Sequence, residues 1–129
     1  MIGIVLVSHS ASLAEGLADM ARQITGGDVP VVAAGGGPDG ILGTDPDRIT
    51  AAIRGADGGD GVLVLVDLGS AVLSVRALLA DGDLDGVRVI LADAPLVEGA
   101  IAAAATASVN GTLDDAARSA QEAWDARKL

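Results

Sequence analysis

IGIVLVSHSASLAEG, residues 2–16, joins an aliphatic run to a histidine and then to a helix start. Ile2 to Val7 is almost continuously apolar, as suits a strand covered on both faces rather than one with a wet side. Three further runs resemble it: Val29 to Ala34 (VPVVAA), Val62 to Val66 (VLVLV) and Val87 to Leu91 (VRVIL). Between them lie stretches with helical spacing. Leu13, Leu17, Met20 and Ile24 fall on one face, as do Ile49, Ala52 and Ile53, while Val72, Leu73, Arg76 and Leu79 form a mixed stripe. Strand followed by helix, four times over, predicts an α/β fold: an open, doubly wound, mainly parallel four-stranded sheet with helices on both faces.

The punctuation agrees. Thr44-Asp45-Pro46 offers an N-cap with proline at the first helical position, and Asp93-Ala94-Pro95 repeats the device less cleanly. Asn110-Gly111 ends one helix, and Thr112 with Asp115 forms a capping box for the last, whose apolar side is alanine plus Leu113 and Trp124. The alanine-dense stretch 101–109 predicts a closely packed helix. Residues 55–61 and 81–86 read as turns from helix to strand. Neither an internal repeat nor a linker divides the chain, so residues 1–129 are expected to form a single domain.

Composition narrows the function. The chain has no Phe, Tyr or Cys and one Trp, so its core must be built from Val, Leu, Ile and Ala. Disulfides and thiolate metal sites are excluded. Eighteen Asp and Glu against eight Lys and Arg give a net charge of −10, which argues against nucleic acid and anionic membranes and for a basic partner. The apolar run at the N-terminus is too short to span a bilayer or form a signal core, and a cytoplasmic protein is expected.

In an open parallel sheet, ligands gather beyond the carboxyl ends of the strands. Those positions hold Ser8-His9-Ser10, then Gly35-Gly36-Gly37 through Thr44, then Asp67-Leu68-Gly69-Ser70, and Asp93 to Glu98. His9 is the only histidine. A lone histidine is often structural, but this one stands at a predicted helix N-terminus among serines, where backbone N–H groups favour an anion such as phosphate. Without a second His or any Cys, no metal site is expected. As a nucleophile, His9 needs only an orienting partner, and Asp67 reaches the same edge if their strands are neighbours. The spacing of Asp67 equally suits an N-cap of the following helix. Ser10, Thr44 and Ser70 are ordinary capping types that, clustered around a histidine, could hold phosphoryl oxygens. GGGPDG is neither a dinucleotide fingerprint nor a P-loop and reads as a mobile loop. No G-x-S-x-G elbow is present.

GIVLVSHSASLAEGL, GGGPDGILGTD, GVLVLVDLGSAVLS and LADAPLVEGA, in that order, resemble the phosphotransferase subunits of phosphoenolpyruvate-dependent dihydroxyacetone kinases. More broadly, the chain is similar to the mannose-type IIA domains of the sugar phosphotransferase system. The resemblance implies strand order 2-1-3-4 and a homodimer. It implies that His9 is phosphorylated transiently by the phosphocarrier HPr, itself charged by enzyme I. The group would then pass to ADP on the nucleotide-binding subunit of the kinase, so the chain itself holds no cofactor beyond the phosphohistidine. Asp67 matches the acid that pairs with the histidine, and Thr44 and Ser70 match segments lining the site. With no HPr-like or enzyme I-like segment in residues 1–129, the donor is expected to be a separate protein.

Three alternatives remain: a mannose-type IIA domain that phosphorylates a permease IIB component, a response-regulator receiver phosphorylated on Asp67, and a non-catalytic module in which His9 only contacts a partner. The receiver lacks acidic residues after the first strand and has no lysine before Lys128.

Overall fold

Strands that are apolar at nearly every position need cover on both faces. The computed structural model describes all of residues 1–129 and turns the four runs into β1 (Gly3–Ser8), β2 (Val31–Gly35), β3 (Val62–Val66) and β4 (Val89–Leu91). They pair in parallel in the order β2-β1-β3-β4. Alternation sends Ile4, Leu6, Leu63 and Leu65 to one face, beneath α1 (Ala11–Thr25), α4 (Leu96–Ser108) and α5 (Leu113–Glu122). Val5, Val7, Val62 and Val64 face the other way, beneath α2 (Pro46–Ala56) and α3 (Gly69–Ala80). The doubly wound sheet and its order agree with the expectation.

Two runs are trimmed. β2 begins after Pro30, and β4 loses Val87, whose N–H closes a turn on the Leu84 carbonyl. α1 is also rotated from the face its large residues predicted. Leu17 is buried, but Leu13, Met20 and Ile24 are exposed, and Ala14, Ala18 and Ala21 take their place in the core. The reason is packing distance: α4 buries Ala100, Ala103, Ala104 and Ala107 in the same cluster, with Gly99 buried beside them, and facing small residues allow the helices to approach closely.

Caps follow the sequence at two helices out of three. Asp45 accepts the Asp47 N–H at 3.0 Å with Pro46 beginning α2, and Thr112 and Asp115 form the reciprocal box of α5. α4 has Pro95 at its N-cap and no side-chain cap. Asp93 instead accepts the Trp124 indole N–H, at 3.2 Å to Oδ1. Trp124 lies in a 3-10 turn beyond α5 and is 57% exposed, outside the core expected to hold it, whereas Leu113 is buried as predicted.

β1 and β2 pair Ser8 with Gly35, and β1 and β3 pair Val7 with Val66. That register brings the residues after β1, β2 and β3 to one edge. Gly35 is required there, because a Cβ would stand 2.6 Å from the Ser10 carbonyl oxygen and 2.8 Å from the Ala11 Cα. The start of α1 therefore rests directly on β2. Gly35→Ala is expected to lower unfolding stability by at least about 1–3 kcal/mol, the usual cost of overpacking, as read by urea titration.

Candidate functional site

Asp67 follows β3 directly, and its own N–H donates to the Val7 carbonyl at 3.1 Å, so its side chain stands beside the Ser8-His9 corner. Four donors meet on the carboxylate. Oδ2 accepts the Ser8 hydroxyl and the His9 backbone N–H, both at 3.0 Å. Oδ1 accepts the Leu68 N–H at 2.8 Å and lies 3.0 Å from His9 Nδ1. Burial by itself raises the Asp67 pKa, but the hydrogen bonds from the His9 backbone, the His9 ring and Ser8, with attraction to the imidazolium, outweigh it. The carboxyl is held below its ordinary value of 3.8.

An ionised carboxylate only accepts, so Nδ1 must carry the proton and Nε2 the lone pair of the neutral ring. Nε2 faces outward, 2.9 Å from the Ser70 hydroxyl, which donates to it. The imidazole side chain keeps 24% of its surface exposed, while the Asp67 carboxylate keeps 14%. The histidine is thus anchored on one side and open on the other. Asp67 does not cap the following helix: Leu68 is the N-cap of α3 and supplies no side-chain bond. That helix also has no acidic residue in its first turn, and although the Ala71 N–H donates to the Leu68 carbonyl at 3.0 Å, the Gly69 and Ser70 N–H groups and the helix dipole face an anion beside Ser70.

The other predicted residues divide. Ser70 touches the ring. Thr44 does not; its Oγ1 is 3.0 Å from the Ser74 hydroxyl, which reaches back to the Ser70 carbonyl at 3.4 Å. Ser10 caps α1, its hydroxyl accepting the Leu13 N–H at 3.3 Å. Ser8 and Ser74 were missed. Ser74 could have been found one helical turn after Ser70, on the same face of α3.

The glycine loop is fastened at both ends. Gly36 N–H donates to the Ser8 carbonyl and Gly43 N–H to the His9 carbonyl, each at 3.0 Å. Gly43 makes its bond at φ 144°, which side chains rarely adopt. At the tip, Ile41 and Leu42 are exposed. A groove of about 540 Å³ between α3 and the β4 edge ends at Asp67, but none of the chain's cavities is lined by His9.

Residues 3–117 match the EIIA-man family, described as the PTS system fructose IIA component. The chain belongs to that family. It is 37% identical over 133 residues to the PEP-dependent dihydroxyacetone kinase phosphoryl donor subunit DhaM of Klebsiella michiganensis, covering all of this chain but 28% of that protein. The same proportion, 28%, holds for the Escherichia coli subunit, at 37% identity. This chain therefore spans little more than a quarter of these two relatives. A shorter relative, the phosphoryl donor subunit DhaM of dihydroxyacetone kinase 2 from Listeria innocua, is 40% identical over 111 residues, covering 85% of this chain and 89% of that one. Among solved structures, the unknown-function protein EF1359 superposes with a TM-score of 0.81 at 36% identity, covering 95% of both chains. A sigma-54 interaction domain protein from Enterococcus faecalis, at 19% identity and TM-score 0.73, shares the EIIA-man family fold.

Because the folded-state pKa of Asp67 is lowered, its ionised form contributes stability that is present above 3.8 and is lost as pH falls through the folded value. Urea titrations of wild type and Asp67→Asn are expected to differ at neutral pH and to converge as the medium is acidified below 3.8.

Proposed function

We propose that this EIIA-man domain is a cytoplasmic phosphocarrier that takes a phosphoryl group from phospho-HPr onto His9 and delivers it to ADP bound on the nucleotide-binding subunit of a dihydroxyacetone kinase. The observation that carries this reading is the His9 geometry: Nδ1 is tied to Asp67 while Nε2 points its lone pair outward at Ser70. In the transfer, the Nε2 lone pair forms a bond to phosphorus as the donor's N–P bond breaks, and the donor imidazole leaves with that electron pair. The positive charge that develops on the His9 ring is shared with the Asp67 carboxylate through Nδ1–H. Ser70 gives up Nε2 and turns its hydroxyl to a phosphoryl oxygen, next to the uncapped start of α3. Alignment and charge stabilisation do the work, as in other phosphoryl transfers.

An open site favours macromolecular partners over a small substrate, which would want a concave pocket. Exposed Leu13, Ile41, Leu42, Leu68 and Leu73 lie on the elements around His9, a surface suited to successive docking of donor and acceptor proteins. The net charge of −10 favours basic faces on both. A dihydroxyacetone kinase subunit is preferred as acceptor over a sugar permease by the names of the relatives from Klebsiella, Escherichia and Listeria. Against a receiver role, Asp67 is already engaged by four donors. A homodimer is part of the proposal, supported by the half-buried apolar side chains of the edge strand β4.

The test uses enzyme I, HPr and labelled phosphoenolpyruvate, with the ADP-loaded kinase subunit added afterwards. The chain is expected to take up acid-labile, base-stable label and to lose it to that subunit. His9→Ala should take up none, and normal transfer by that variant would overturn the proposal. Label that forms but discharges only to a permease component would reassign the acceptor. Leu42→Asp is expected to raise the KM for phospho-HPr at least several-fold while leaving the ring hydrogen bonds of His9 intact, as followed by initial rates and imidazole nitrogen resonances.

A further inference from the structure

Ser8 is the one polar or charged residue in the buried set, 1% exposed at the last position of β1. Its hydroxyl both donates and accepts. The proton goes to Asp67 Oδ2 at 3.0 Å, because the ionised carboxylate cannot donate, and a lone pair accepts the Ser10 backbone N–H at 3.0 Å. It is also the only side chain besides the His9 ring that donates to Asp67; the remaining donors are backbone N–H groups of His9 and Leu68. The two backbone donors hold one carboxylate oxygen each. Ser8 supplies the second bond on Oδ2, the oxygen that does not meet the ring, and so tightens the hold on the rotation that turns Oδ1 toward Nδ1.

From this geometry we infer that Ser8 is a positioning residue for phosphoryl transfer: by holding the Asp67 carboxylate in one rotation, it selects the Nδ1–H tautomer of His9 and keeps the nucleophilic lone pair on Nε2. The inference rests on His9 being the phosphoacceptor. Through the Ser10 N–H, the same hydroxyl links the start of α1 to the site. Without the Ser8 bond only the two backbone N–H groups hold the carboxylate, and the loosened Oδ1 lets the neutral ring sample the opposite tautomer, which has no lone pair at the exposed nitrogen.

The single histidine makes the test direct, since ring-nitrogen spectra of labelled protein contain one imidazole. Wild type, in its neutral state, is expected to show a protonated Nδ1 and an unprotonated Nε2. In Ser8→Ala, the two resonances should move toward each other as the tautomers mix, and transfer from phospho-HPr should slow about tenfold, the lower end of what losing the hydrogen-bond partner behind a metal-ligating histidine costs. Ser8→Thr, which keeps the hydroxyl, should restore the wild-type spectrum and most of the rate. In an Asp67→Ala background, Ser8→Ala should cause no further loss of rate. Unmixed resonances in a folded Ser8→Ala protein would overturn the inference. So would equal losses in the Ala and Thr variants, or an undiminished further loss in the Asp67→Ala background. A wild type that HPr does not phosphorylate would sink the functional reading instead, and the spectra would still decide whether Ser8 sets the tautomer.

Discussion

A carboxylate taken out of water must be met by donors, and the carboxyl edge of this sheet is arranged around that demand at Asp67. Two of its four partners are backbone N–H groups, of His9 and Leu68, whose directions are set by where β1 and β3 end. The third is the Ser8 hydroxyl and the fourth is the imidazole itself. Shifting the β1–β3 register by one residue would turn the side chains to the opposite face and dissolve the whole set. The pairing of Val7 with Val66 is therefore as much a part of the site as the histidine.

The ring's two nitrogens are divided by this arrangement. The buried side is committed to a fixed charge, and the open side meets a single hydroxyl that can leave. A group that must be loaded by one protein and unloaded by another gains from both properties. In the proposed carrier, rigidity at Nδ1 would present the same nucleophile at each encounter, and openness at Nε2 would let successive partners reach it.

Most of the fold was legible in the aliphatic runs, because strands covered on both faces are apolar without interruption and the turns between them carry clear glycine and capping signals. His9 and Asp67 were legible for a different reason: residues just beyond parallel strands converge whatever their separation in the chain. The facing of α1 was not. Leu13, Met20 and Ile24 form as good an apolar stripe as Ala14, Leu17, Ala18 and Ala21, and only the alanine surface of α4 decides which one turns inward. Ser8 was hidden because a serine's role depends on which acceptor its hydroxyl meets, and local spacing does not reveal a contact with Asp67, distant in sequence; Ser74 was within reach of spacing, one helical turn after Ser70. Trp124 misled by its size, since its indole N–H needs an acceptor and finds one at Asp93, on the surface.

That tryptophan also governs how the protein presents itself to light. With no tyrosine or phenylalanine, nearly all of its near-ultraviolet absorption and intrinsic emission comes from one indole, already more than half in water and perched where the C-terminal turn meets the loop ahead of α4. Emission from such a fluorophore moves little when the aliphatic core melts. It responds instead to anything that parts Trp124 from Asp93, two residues that line the same groove as Asp67. The chain thus carries a native optical reporter of that groove and is nearly silent about its own interior.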